Sequence, residues 1–423
     1  MKTITIILSA FFMFSAEFAV YGAESSTAVN EKQKENQEGK IMEMAMRANE
    51  IAFSFYKQKA AGKEENFFFS PYSIRSAFAM AREGAKGKTA EEMDKVFFFP
   101  SENAEMRLEM QSMAEAAAQA AEGSEFSDAN SFWAHNNYTF LPEYVSALKK
   151  HYNAAAENAD FVMDAEGARK KINYWASDKT NGIIKELLAK GSVDPLTRLV
   201  LVNAVYFKGT WQKAFDKKNT SKENFTLNSG KKVKTMFMQH RKAVRLQYAG
   251  TEEGQFLAMP YRKGEDLSGG WLEMMIILPK DKEAFADIEN NISSEYINEM
   301  RRKMTRTEVE LYLPRFKFAV SHELDSSLKS MGMPLAFSDN ADFSGMTGNN
   351  DLKIGYAIQK AFIDVSEEGT EAAAATAVVM AFRSAAVRQR PEVFRADKPF
   401  IFLIRDAKTG LIFFMGKLEK PTA

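Results

Sequence analysis

Ser366 to Arg390 limits the folds open to this chain more than any other stretch. By propensity, Thr370-Glu371-Ala372-Ala373-Ala374-Ala375-Thr376-Ala377 is a helix. Its setting points elsewhere. It follows the strand-like Ala361–Val365 and the turn-forming Glu367-Glu368-Gly369, and it leads through the apolar Val378–Phe382 to Arg383-Ser384 and the basic run Arg388-Gln389-Arg390. No proline occurs between Phe362 and Arg390, so nothing bars the segment from the middle of a sheet. At period 2, one face carries Thr370, Ala372, Ala374, Thr376, Val378 and Met380, and the other carries Glu371, Ala373, Ala375, Ala377, Val379 and Ala381. The first face is uncharged and small toward its start, which is the pattern required of a segment that slides into a preformed sheet. An exposed Ala-rich helix explains the alanines but leaves the Arg383 region without a role.

The rest of the chain can supply such a sheet. Apolar residues fall at helical spacing over Ile41–Ala60, Ile74–Ala81 and Ile172–Leu188, and the Ala-, Met- and Glu-rich Ala104–Ala121 reads as an amphipathic helix. Strand-like runs are Leu199–Phe207, Leu272–Leu278, Val309–Leu313 and Pro399–Ile404. Helices come early and strands late, the pattern of an α+β fold rather than a βαβ alternation. No repeat and no Pro/Gly/Ser-rich linker divides the chain after Ile41, so residues 41–421 read as a single domain. Ahead of it, Met1-Lys2, the apolar run Ile4–Val20 and the small residues near Gly22-Ala23 match a secretory signal peptide over residues 1–23. Residues 24–40 read as a flexible polar leader.

Most chemistries are excluded by composition. The 56 Lys+Arg balance 56 Asp+Glu, which argues against nucleic acid or an anionic membrane as the main partner. There is no cysteine, which removes disulfides, thiol catalysis, iron–sulfur clusters and cysteine-bound zinc. The four histidines, His135, His151, His240 and His322, lack metal-ligand spacing, so no metal or cofactor is expected. Ser326-Ser-Leu-Lys329, Ser338-Asp339-Asn340 and Lys408-Thr409-Gly410 follow the order of the serine β-lactamase motifs. However, the short stretch from Lys329 to Ser338 leaves no room for the helical lobe that chemistry needs, and Asp406–Gly410 reads as a hairpin turn. The basic residues from Lys231 to Arg245 read as a solvated, charged-edged hairpin rather than a polyanion site.

Four separated motifs now give the chain a resemblance. Glu367-Glu-Gly-Thr-Glu-Ala-Ala-Ala-Ala-Thr376 is similar to the hinge of inhibitory serpins, and Phe394-Arg-Ala-Asp-Lys-Pro-Phe-Ile-Phe-Leu-Ile404 to the serpin signature after the reactive loop. Asn66-Phe-Phe-Phe-Ser-Pro-Tyr-Ser-Ile74 resembles the segment entering the family's second helix, and Leu199–Asn203 through Phe207-Lys-Gly-Thr-Trp211 the strand that ends at its breach tryptophan. The resemblance runs from about Ile41 to Pro421. It implies a serpin fold, with helices packed around three β-sheets and an exposed reactive-centre loop at about 367–395.

The function it implies is protease inhibition, with no catalytic residue of the chain's own. Counting fourteen residues beyond Gly369 places the bait bond between Arg383 and Ser384, with Phe382 and Met380 flanking it. An arginine bait implies trypsin-like targets, and Phe382 before it also suits papain-like cysteine proteases. Arg388 and Arg390 are rival baits. The hinge would be Glu367, Gly369, Thr370, Glu371, Ala372, Ala373, Ala374 and Ala375. Ser70, Ser73, Asn203, Gln359 and Trp211 would form the shutter and breach. One departure stands out: Gln359 occupies the place of the family's usual histidine, so no shutter-histidine pH dependence is expected there. The stretch Ser101–Ala121 lacks a basic cluster, so glycosaminoglycan activation is not expected. A secreted or extracellular monomer follows (in a bacterial host, periplasmic or at the cell surface). The alternative is a non-inhibitory serpin acting as carrier, chaperone or cleavable substrate.

Overall fold

A computed structural model describes residues 38–122, 124–152, 154–261, 272–370 and 390–421. The chain divides into two units, Met1–Met44 and Ala45–Ala423. Residues 38–44 of the first are helical. The second unit carries both sheets described below.

Helix positions follow local chemistry. Pro71–Gly84 starts where Ser70 Oγ accepts from Ser73 N at 3.1 Å, with Pro71 in the first turn, where its missing N–H costs nothing. All fourteen of its residues are buried, so this helix is the spine of the domain. Its buried charges are paired: Arg75 with Glu109, Arg82 with Asp94, Glu83 with Arg107. The expected helix at Ala104–Ala121 is Asn103–Ala120. The one expected over Ile172–Leu188 is instead Ala165–Lys179, capped by Asp164. It stops because Asn181 and Gly182 adopt φ of 51° and 78°. Leu187 and Leu188 stay buried, their N–H groups donating to Asn173 Oδ1 at 2.9 and 2.7 Å. The apolar spacing there reflected burial, not helix.

Among the described residues, six strands form the sheet that carries the site: β1 (Glu125–His135), β2 (Ala155–Ala159), β3 (Leu199–Thr210), β4 (Phe316–Glu323), β5 (Tyr356–Ser366) and β6 (Gly369–Thr370). Their order is β4-β5-β6-β3-β1-β2, and β5 also pairs directly with β3. One face packs against Pro71–Gly84 and its neighbours, the other through Val200, Val202 and Ala204 against Ala168, Ile172 and Ala176. Burial on both faces explains why β3 reads as a continuous apolar run.

The second sheet has ten strands among the described residues, with Phe400–Asp406 and Ile412–Leu418 near one edge and Thr305–Pro314 near the other. The first half of Thr305–Pro314 pairs with Val244–Gly250 and its end with Lys232–Gln239, which joins two of the three expected sheets in one hydrogen-bonded network. Glu392–Arg395 lies parallel to the same strand. The Asp406–Gly410 turn is a hairpin, with the Asp406 carboxylate accepting from Lys408 N and Thr409 N at 3.0 and 3.1 Å. Ser326–Lys329 lies in the helix Asp325–Ser330, so the lactamase-like motifs are a helix and turns.

Candidate functional site

At the end of β5 the chain turns through Glu367-Glu368 and comes back as β6, wedged between β5 and β3. Val365 pairs with Thr370 and Ser366 with Gly369 on one side; on the other, Gly369 pairs with Thr210 and Thr370 with Gly209. Gly369 has φ 144°, and a Cβ on it would lie 2.0 Å from Gly209 O, so only glycine can make this turn. The turn is fastened by side chains and backbone alike. Trp211 Nε1 donates to Ser366 O at 3.0 Å, Trp211 N to Glu368 O at 2.9 Å and Phe215 N to Glu367 O at 2.8 Å. Trp211 itself is held by Tyr261, stacked at 4.5 Å.

Glu367 is the anchor of this end. It is 1% exposed and accepts from Arg315 Nε at 2.7 and 2.8 Å and from Thr220 Oγ1 at 2.5 Å. Burial works to raise its carboxyl, but the Arg315 and Thr220 hydrogen bonds outweigh it and hold the group below its usual value. Glu368, beside it, pairs with Lys217 at 2.6 Å.

Further down, β5 and β3 meet directly in a parallel ladder, Tyr356–Phe362 against Val200–Tyr206. At its centre Gln359 faces Asn203, both wholly buried. Gln359 Nε2 donates to Asn203 Oδ1 and to Ser70 O, while its Oε1 accepts from Ser70 N at 2.9 Å. Asn203 Nδ2 donates to Ser73 Oγ and to Asn130 Oδ1, and Ser73 Oγ donates on to Asp128. Burial raises the Asp128 carboxyl, and the Ser73 and Asn130 bonds only partly offset it. The network therefore ties the N-terminus of the spine helix to β5, β3 and β1. Across from Gln359 on β4 lies His322, its Nε2 donating to Phe68 O at 3.0 Å inside a cage of Phe55, Phe67 and Phe69.

Residues 46–421 match the family model described as serpin, serine protease inhibitor. The chain belongs to the serpin family. An uncharacterized serpin-like protein of Thermococcus kodakarensis is 38% identical over 92% of this chain and 87% of its own length. Human Serpin B3 is 37% identical over 87% and 97%, and leukocyte elastase inhibitor A of the rat is 38% identical over 87% and 96%. Among solved structures, Serpin48 of the insect Tenebrio molitor aligns with a TM-score of 0.78 at 29% identity, covering 90% of this chain and 98% of its own. Human thyroxine-binding globulin complexed with thyroxine aligns with a TM-score of 0.79 at 26% identity, covering 90% and 100%.

The fold of this serpin brings Ser70, Ser73, Asn203 and Gln359 into one cluster, and Glu367, Gly369, Thr370 and Trp211 into another at the end of the same seam. Glu371, Ala372, Ala373, Ala374 and Ala375 of the hinge lie outside the described residues, as do Met380, Phe382, Arg383 and Ser384, and so do residues 1–23. Arg315, Thr220, Asp128, Asn130 and His322 carry no motif that marks them in the sequence. Among the described residues no group of acidic residues and histidines is arranged to hold a metal. Nor is any of their helices long and apolar enough to cross a membrane.

Proposed function

We propose that this serpin is a secreted suicide-substrate inhibitor of trypsin-like serine proteases, with papain-like cysteine proteases as further targets. One observation supports the reading most strongly: the hinge has already begun a strand between β3 and β5. Continued in the same register, Thr370, Ala372, Ala374 and Thr376 occupy inward positions, and Thr376 falls between Gln359 and Asn203. These are the small, uncharged positions of the sequence. Each inserted residue would exchange one parallel ladder for antiparallel pairing on both sides, a known mode of strand addition.

Cleavage at Arg383-Ser384 would release the strand while its new C-terminus is still esterified to the protease. About twelve residues at roughly 3.3 Å each would carry the enzyme some 40 Å across the sheet. A displacement of about 1 Å within a catalytic site can cost on the order of 100-fold in rate, so the acyl-enzyme would persist. The target protease supplies the chemistry and the inhibitor the displacement. A monomer suffices for it.

Mixing the protein with trypsin should yield a covalent complex that survives SDS, and Arg383→Ala should abolish it. Clean cleavage with no adduct at any ratio would favour a second reading, a carrier, in keeping with the likeness to thyroxine-binding globulin.

A further inference from the structure

At the end of the sheet opposite β6 lies a polar cleft of about 340 Å³, lined from both sides of the β3–β5 seam. Arg198, the residue before β3, and Asp351, on the connection into β5, both line it, together with His135, Asn137, Tyr138 and Asn349. Two opposite charges face one cleft without meeting. Arg198 Nη1 donates only to the carbonyls of Pro195 and Thr197, at 2.8 and 3.1 Å, and no carboxylate reaches the guanidinium among the described residues. The Asp351 carboxylate has no ion pair there either; only its backbone oxygen is engaged, accepting from Tyr138 Oη at 3.2 Å. Both charges act on the Tyr138 hydroxyl: burial and Asp351 raise it, and Arg198 lowers it. His135 is 6% exposed and its Nδ1 is buried without a partner, so Nε2 is the one ring nitrogen it can offer.

We propose that this cleft binds a small zwitterion of the α-amino-acid class, its carboxylate on Arg198 and its ammonium on Asp351. A simple anion would suit Arg198 but meet Asp351, and a simple cation the reverse. A ligand carrying both charges satisfies both, and the cleft is of a size for a small molecule rather than a single ion. The position gives the site a consequence. His135 ends β1 and Arg198 starts β3, whereas Asn349 and Asp351 belong to the chain entering β5, and Gly355 N donates to Leu199 O across the boundary at 3.0 Å. A bound amino acid would bridge β3 and β5 at the closed end of their seam and hold them together. That it would also slow protease trapping rests on the inhibitory reading above; the binding itself does not.

The test is calorimetry of the full chain with L-serine, with N-acetyl-L-serine, which lacks the ammonium, and with L-serinamide, which lacks the carboxylate. L-Serine should saturate below about 10 mM, and each control should bind at least about tenfold more weakly. Arg198→Ala and Asp351→Asn should each lose a similar factor while melting like the parent. Hydrogen exchange of the Tyr356–Phe362 amides should slow in saturating serine and not in either control. No binding of L-serine, or equal binding of all three probes, overturns the zwitterion site. Binding with unchanged exchange overturns the clamp. Failure to trap trypsin at all would overturn the inhibitory reading and leave both of these results standing.

Discussion

The two sheets lie in the same unit of the chain but are sealed differently. In the ten-stranded sheet, Phe400–Asp406 and Ile412–Leu418 are buried along their whole length, and antiparallel ladders run from them into Leu272–Pro279. Backbone and rings are in contact there: a Cβ on Gly416 would lie 2.4 Å from the Phe402 ring. The six-stranded sheet instead has a seam between β3 and β5, closed by a parallel ladder and centred on two buried amides, Asn203 and Gln359. Separating packed phenylalanines exposes apolar surface that nothing replaces. Separating two amides exchanges their hydrogen bonds for those of an arriving strand, provided that strand is shaped to offer them. On the inhibitory reading proposed above, the polar seam would be the parting line, and the phenylalanine sheet the frame that must hold while it parts.

Blocking the parting line should have the largest effect. Thr370→Arg would place a charge at the first inward position, where full insertion must desolvate it at a cost of several kcal/mol. Trypsin should then cleave the loop and leave, and the SDS-stable band should vanish; a band of undiminished intensity would mean that the strand enters elsewhere. Damage to the frame should act differently. Phe402→Ala should lower stability by about 3–5 kcal/mol in urea unfolding, yet leave the rate of trypsin trapping close to that of the parent at temperatures where the variant is folded.

Acid should probe the boundary between the two. Burial in the phenylalanine cage lowers His322 to about 4 from an ordinary 6.5, against the raising effect of its Phe68 bond and aided by Lys59. The unfolded chain thus binds more protons between those values, so this group's contribution to stability falls as pH drops from 6.5 to 4, by about 3 kcal/mol in all. Glu419, raised to about 7 mainly by burial, acts in the opposite sense over 4.5 to 7, so the measurement is the difference between variant and parent. His322→Phe should gain on the parent steadily across 6.5 to 4. A constant difference would mean that His322 is not held neutral. Near neutral pH neither protein should respond through this position, in keeping with the expectation drawn from Gln359.

Frame and parting line were not equally legible in the sequence. Leu199–Phe207 and Pro399–Ile404 announced themselves as apolar runs because both of their faces are buried. Glu125–His135 did not: Ser127, Asp128 and Asn130 break its pattern, Asp128 and Asn130 because they join the buried network around Asn203 and Ser127 because its hydroxyl donates to Lys179 O. The helices Lys282–Asn291 and Ser294–Lys303, each short and opened by a side-chain cap, were also not apparent. The turn at Gly369 could be read, since a Cβ there would collide with the backbone of Gly209 and Thr210. Its anchor could not, because Arg315 and Thr220 reach Glu367 from distant parts of the chain and only the fold brings them together.

The smallest and most specific effect belongs to Gln359. Gln359→Leu keeps the volume roughly but strands Ser70 N–H and the Asn203 carbonyl oxygen in a dry interior, which should cost about 1–3 kcal/mol. The loss falls on the seam alone, so the urea midpoint should drop with an unchanged slope while the hinge end, fastened by Glu367 and Trp211, stays as it is. A weakened seam should also open more readily, and the variant should convert on warming to a form that no longer traps trypsin faster than the parent does. Gln359→His separates geometry from charge at the same place. An imidazole can still bond there, so part of the stability should return, and with it a pH dependence near neutrality that the parent lacks. If Gln359→His recovers the stability but its trapping rate has the parent's pH profile, the seam is held by hydrogen-bond geometry alone and a titrating group adds nothing to it.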